Sequence, residues 1–235
     1  MKVTEEQYGD LRILHQDPWL VAIDKPAGML VHPGKEPEAT SQIAMKVLRD
    51  QIGKRVSTLH RLDRPTSGVL LFALDPIVEQ DLRRQFADQS IEKKYTAVVI
   101  GESPEKWTNH SPLQKEEGEP FREAQTDFFR QRTVRIGEDQ FSILTARPKS
   151  GRYHQIRKHL ASDGFPIVGD YLYGKVEEME RLAQKIGQSR LMLHASELQF
   201  HHPVENVEMT IACPLPQRFA PFTGESIEET QKPGE

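Results

Sequence analysis

The 235-residue sequence predicts a soluble α+β protein built on a mixed sheet. Strand-like runs outnumber helix-like ones, and the two kinds are not strictly interleaved as a doubly wound parallel sheet requires. A 37% hydrophobic share can supply a core, while a mean hydropathy of -0.60 belongs to a soluble chain. No apolar run reaches the eighteen residues of a membrane span, so no membrane association is expected.

Leu11-Arg-Ile-Leu14 and Trp19-Leu-Val-Ala-Ile-Asp24 read as paired strands, closed by the Lys25-Pro-Ala-Gly28 turn. Residues 41–52 read as a helix capped by Thr40 or Ser41, with Val47 and Leu48 inward. Thr66 to Leu74 is short and apolar, as a buried strand is. Asp75-Pro76 then opens a helix, a cap followed by proline at the first helical position. Its apolar stripe is Val78, Leu82 and Phe86. Lys94 to Ile100 alternates and ends at Gly101, a strand. Glu102 to Arg122 is charged and poor in apolar residues, an excursion with at most short strands. Phe141 to Ala146 is a strand. Arg152 to Ser162 is a helix with Tyr153, Ile156 and Leu160 on one face and Gly164 as its stop. Leu191 to Phe200 and Val207 to Cys213 form two late strands, and from Pro214 the Pro-, Gly- and Glu-rich chain is expected to fray. The expected division is a short extension (1–10), one catalytic domain (11–216) and an acidic tail (217–235).

The polar N-terminus lacks the basic and apolar regions of a signal peptide. The single cysteine, Cys213, excludes an intramolecular disulfide and any cysteine-cluster metal site, so a cytoplasmic location is expected. The net charge of -4 counts against nucleic acid as an average, but the charge is unevenly placed. Residues 224–235 and 101–120 each carry a net -3, whereas residues 121–158 carry a net +5. Phosphate binding needs a local patch rather than a basic average; on charge alone, a solvated mixed-charge surface is the better reading.

There is no P-loop, no dinucleotide-binding glycine fingerprint, no nucleophile elbow and no His-Glu-x-x-His. His154 and His159 lie five apart, on different faces of a helix, which makes a two-histidine metal clamp unfavourable. No metal and no cofactor is expected, so the chemistry must run on side chains.

Two segments stand out. His60-Arg-Leu-Asp63-Arg-Pro-Thr-Ser-Gly68 sets one carboxylate between two guanidiniums just before a buried strand. Nearby positive charge should keep it ionised, although for such a segment taken alone an Asp63 that caps a turn and pairs with its neighbours is the favoured reading. In Ser150-Gly-Arg-Tyr-His-Gln-Ile-Arg157-Lys-His159, a glycine leads into a helix start suited to an anion. His154, Arg157 and Lys158 share a face there, though for such a helix alone a plain solvent-facing basic surface is the commoner case.

Those two segments, with Glu92-Lys-Lys-Tyr95 between them and Leu191-Met-Leu-His-Ala195 after them, occur in an order that resembles the pseudouridine synthases of the large-subunit-rRNA/tRNA family, whose members carry His-Arg-Leu-Asp. Trp19 to Gly28 with Val31-His-Pro33 is similar to that family's first strand pair, and the likeness spans roughly 11–213. Four ordered motifs outweigh the bland readings of each. The resemblance implies a mixed, largely antiparallel sheet with flanking helices and loops around a central cleft. It implies Asp63 as the essential carboxylate, Tyr95 against the target base, and Arg157 paired with Asp63. Leu193 would line the apolar wall. Arg61 could fill the gap left by a flipped nucleotide, with His60, Arg64, Gly151, Arg152, His154 and Lys158 as further substrate contacts. The nearest subgroup resemblance, carried by Asp50-Gln-Ile-Gly53, Pro65 and Arg130 to Arg135, is to the synthases that modify the uridine at position 65 of tRNA. An rRNA substrate stays open, and a monomer is expected.

A glycoside hydrolase generally needs two flanking carboxylates, and one set among arginines fits rearrangement better. A non-catalytic RNA-binding protein on the same fold would keep the basic helix but not require Asp63, Tyr95 and Arg157 together.

Overall fold

The computed structural model describes residues 9–33 and 42–224. Among these, ten strands follow in chain order: β1 (Ile13–Gln16), β2 (Leu20–Lys25), β3 (Ser57–Thr58), β4 (Ser67–Ala73), β5 (Glu92–Ile100), β6 (Lys106–Asn109), β7 (Thr126–Ile136), β8 (Asp139–Pro148), β9 (Leu193–His201) and β10 (Glu208–Ala212). The helices are α1 (Ala44–Ile52), α2 (Pro76–Ala87), α3 (Gln155–Ser162), α4 (Val176–Ile186) and α5 (Ala220–Thr223). The strands make one sheet ordered β1-β2-β4-β9-β5-β8-β7-β6, with β10 on β9 and β3 on β4. Among the strand pairs, β4–β9 runs parallel and the rest run antiparallel, so the sheet is mixed and largely antiparallel as expected.

Alternation explains why β4 is buried throughout and apolar from Val69 to Ala73. Val69, Leu71 and Ala73 face a core shared with Val78 and Leu82 of α2, while Leu70 and Phe72 face another with Leu48 of α1. Each fully buried side chain of this size contributes roughly 1.5–3 kcal/mol. A third core gathers Val98, Phe128, Phe141 and Leu144 beneath α3, α4 and α5 with the turn before it. The cap of α2 is as expected: Asp75 accepts from the backbone N–H groups of Ile77 (2.8 Å) and Val78 (3.2 Å).

Four expectations need correction. α1 begins at Ala44 after Ile43, which bridges Leu30; Thr40 and Ser41 lie outside the described residues. α3 begins at Gln155, not Arg152, because the Gln155 side chain accepts from Ser150 Oγ (2.7 Å) and Arg152 N (3.0 Å) and holds those residues in a turn. Tyr153 therefore leaves the apolar face; it stacks on His154 with centroids 3.7 Å apart. Fraying from Pro214 does not occur up to Thr223: a 3-10 turn (Gln217–Phe219) and α5 bury Phe219 and Phe222 in the third core. Two long elements, β7 and α4, had no sequence expectation at all.

Candidate active site

Asp63 lies on the loop from β3 to β4, whose shape is fixed from two sides. Thr66 N donates to the Asp63 carbonyl (3.0 Å) across the Pro65 turn, and Gly28 N donates to the Arg64 carbonyl (2.7 Å). Beneath it, the fully buried Lys25 donates to the carbonyls of Pro26 (2.8 Å), Met29 (2.9 Å) and Arg64 (3.3 Å). Burial pushes the Lys25 ammonium down to about 7, with the charges of Asp63 and Asp24 working against that shift and Arg218 with it. Where the loop enters β4, Gly68 has a φ of 114°, and a Cβ there would stand 2.1 Å from the Ala195 carbonyl oxygen. Only glycine lets β4 and β9 approach this closely.

Across the cleft, Arg157 of α3 and His154 just before it face Asp63. Arg157 Nη1 lies 3.4 Å and His154 Nε2 3.6 Å from Asp63 Oδ2. Arg157 is buried and is gripped more firmly from behind: its Nε and Nη2 each donate at 2.8 Å to the two oxygens of Asp170. Burial disfavours the guanidinium's charge, but hydrogen bonds and charge from Asp170, then Asp63, outweigh it and hold its pKa above the usual arginine value. Asp170 is itself 1% exposed and also accepts from Leu172 N and Tyr173 N. It follows Gly169, whose φ of 77° and close approach to the Arg190 carbonyl exclude a side chain.

His154 adopts a left-handed backbone, φ 54°, immediately before α3. In a non-glycine residue this conformation costs of order 1–3 kcal/mol and is often found at functional sites. Its Nδ1 lies 2.9 Å from Tyr173 Oη. Burial lowers the imidazole to about 4, with Asp63 opposing and Arg157 reinforcing the shift, so the ring is neutral at pH 7.

Between these walls is a cleft of ≈ 530 Å³. Tyr95 enters it from β5 just past a bulge at Lys94/Tyr95, which re-aims the side chain. Burial, then the negative charge of Asp63, push the Tyr95 phenol well above its ordinary value. Leu193 lines the cleft from β9, whereas Leu191 belongs to the core beneath. The lining cations are Arg61, Lys93, Lys115, Arg152 and Arg157, against the single carboxylate of Asp63. The cleft is thus locally basic in a chain of net charge -4, which suits a polyanion. Among the described residues no three His, Cys, Asp or Glu side chains converge so as to hold a metal ion, and no helix is long and apolar enough to cross a membrane.

Of the residues expected here, Asp63, Tyr95, Arg157, His60, Arg61, Leu193, Gly151, Arg152 and His154 all line this cleft. Arg64 and Lys158 do not: Arg64 Nε donates to the Gly28 carbonyl (3.0 Å), and Lys158 Nζ to the Gln114 carbonyl (2.6 Å). His60 Nε2 is taken up by the backbone N–H of Leu71 (3.0 Å), and burial, then Lys93, lower its ring to about 3. The guanidinium beside Asp63 comes from 94 residues away rather than from its chain neighbours. Asp170, Lys93, Lys115 and Tyr173 were missed. A signal for Asp170 existed in Gly169-Asp170 opening a turn, but nothing local links it to Arg157.

A family model described as RNA pseudouridylate synthase matches residues 19–162. The tRNA pseudouridine synthase C of Haemophilus ducreyi is 39% identical over 226 residues, covering 89% of this chain and 93% of that protein. The tRNA pseudouridine synthase C of Vibrio cholerae is 38% identical over 222 residues, covering 87% and 91%. The solved structure of human RNA Pseudouridylate Synthase Domain Containing 1 superposes with a TM-score of 0.74 at 23% identity, covering 91% of this chain and 87% of that one, which establishes the shared fold.

Proposed function

The chain belongs to the RNA pseudouridylate synthase family, and on that premise we propose that it isomerises a uridine of tRNA, at position 65, to pseudouridine with Asp63 as the catalytic carboxylate. The observation that carries the site assignment is the placement of Asp63: one carboxylate facing a basic cleft, with a guanidinium anchored beside it by Asp170. The tRNA reading rests on the names of relatives near 38% identity over most of their length.

The reaction breaks the N1–C1′ bond, turns the base over and forms C5–C1′; the C5 proton leaves and N1 gains one. Asp63 acts at the sugar or the base, and Arg157 holds its charge in place. The target uridine must leave its stack to reach the carboxylate. Tyr95 stacks on the freed base, and Leu193 walls it off from water. Because the Tyr95 phenol starts protonated, it takes up a C5 proton only by passing its own on. Arg61, exposed at the rim, fills the space the nucleotide leaves. Neutral His154, tied to Tyr173, sets the distance between α3 and Asp63. We infer that it works on tRNA as a monomer in the cytoplasm.

The test is to incubate tRNA transcripts with the enzyme and map pseudouridine by carbodiimide adducts read by reverse transcription. A stop for position 65, lost in a transcript with cytidine there, is the expected result. A stop elsewhere in tRNA overturns the position, and conversion of rRNA alone overturns the substrate.

A further inference from the structure

A charged segment poor in apolar residues has little of its own to bury, yet Glu102–Arg122 is fastened closely to α3. Trp107 stacks on Phe128 (centroids 4.7 Å apart) and its Nε1 donates to Asp163 (2.8 Å). Asn109 Nδ2 donates to Asp163 Oδ1 (2.6 Å) and Ser162 Oγ (3.3 Å). His159 Nε2 donates to the Ser111 carbonyl (3.0 Å). Lys158 Nζ donates to the carbonyls of Gln114 (2.6 Å) and Lys115 (3.4 Å). Paired backbone hydrogen bonds of 2.9 Å between Leu113 and Arg122 close the tip.

Two side chains of α3, Lys158 and His159, are therefore occupied with the excursion's backbone. Fixing a lysine costs side-chain entropy, and here Lys158 holds the backbone through Gln114 to the next residue in place. That residue is Lys115, and of residues 102–122 it alone lines the cleft with Asp63 and Tyr95. Its side chain is 55% exposed and pairs with Glu116 (3.2 Å) and Glu119 (3.9 Å). Exposed pairs of this kind are weak, so a phosphate can displace them. A lysine reads phosphate as a point charge, without the planar geometry an arginine needs.

We propose that the excursion is a wall of the RNA-binding cleft and that Lys115 contacts a backbone phosphate beside the target uridine. This rests on the function proposed above. In the free protein Glu116 and Glu119 hold the ammonium; on binding, the phosphate replaces them.

The experiment measures steady-state kinetics on a tRNA transcript at several salt concentrations for wild type, Lys115→Ala, Lys115→Arg, Glu116→Gln/Glu119→Gln and the triple variant. Lys115→Ala is expected to raise KM roughly fivefold, with the loss in KM rather than kcat, and to reduce the salt slope by about one. Lys115→Arg restores both. The double glutamine variant lowers KM, and that gain disappears in the triple variant. An unchanged KM and salt slope in Lys115→Ala overturns the contact. An equal gain from the glutamines with and without Lys115 overturns the exchange of partners. Absence of product from the wild type, on tRNA and rRNA alike, would instead refute the proposed function.

Discussion

Replacing Asp170 with asparagine keeps the shape of the site but removes the charge that anchors Arg157. Both oxygens of Asp170 accept from the guanidinium at 2.8 Å, whereas Arg157 meets Asp63 by one contact at 3.4 Å. The strong pair thus positions the group that serves the weak one. Asparagine presents one N–H₂ to a guanidinium that only donates, so one of the two bonds is lost and a buried charge is left poorly paired. Breaking a buried pair costs roughly 3–5 kcal/mol, and at about 2–4 °C per kcal/mol for a domain of this size, Tm should fall by roughly 6–20 °C. A catalytic group displaced by about 1 Å can cost on the order of 100-fold in rate. Single-turnover release of tritium from tRNA labelled at uridine C5, run well below both melting temperatures, should therefore fall on the order of 100-fold at saturating enzyme, with Asp170→Glu recovering part of it. A variant with lowered Tm but wild-type single-turnover rate would refute the positioning argument and leave Asp170 a purely structural residue.

Tyr95→Leu removes the ring proposed to stack on the base, and stacking contributes about 1–3 kcal/mol per base; single-turnover titration of tRNA should show a loss of roughly 5- to 150-fold. His60, His154 and His194 are held near 3, 4 and 4, in each case first by burial. Their folded values lie below the unfolded one, so the unfolded chain binds more protons as pH falls from about 6.5 toward 4 and stability is lost over that window. Urea denaturation at pH 7, 5 and 4 should show it, and His194→Asn should flatten the slope if the account holds. Gly68→Ala forces a Cβ onto the Ala195 carbonyl at a positive φ; it should cost more than about 3 kcal/mol, visible as loss of soluble folded protein.

The parts of the fold that the sequence foretells are those where a local rule decides. β4 shows as an unbroken apolar run because both its faces are covered, and α2 shows through Asp75-Pro76 because capping is a short-range hydrogen bond. β7 escapes because Gln131, Arg132, Thr133 and Arg135 in its second half are exposed, so alternation is faint. α4 escapes because Met179 and Leu182 are its only buried residues among nine more exposed ones. The start of α3 is misplaced because a glutamine side chain, not the backbone, decides where the turn ends. At the site, residue types within each motif are legible, but partners are not. Asp63 has Arg61 and Arg64 beside it in sequence and meets Arg157 in space; Arg157 needs Asp170, thirteen residues on.

The central claim is that Asp63, held against Arg157 in this cleft, rearranges uridine without losing the base. It is tested most directly by tritium release from tRNA labelled at uridine C5, wild type beside Asp63→Asn, with the product digested to nucleosides. The account predicts tritium release and pseudouridine from the wild type, no free uracil, and neither from a folded Asp63→Asn that still binds tRNA. Wild-type rates from Asp63→Asn, or free uracil from the wild type, would contradict it.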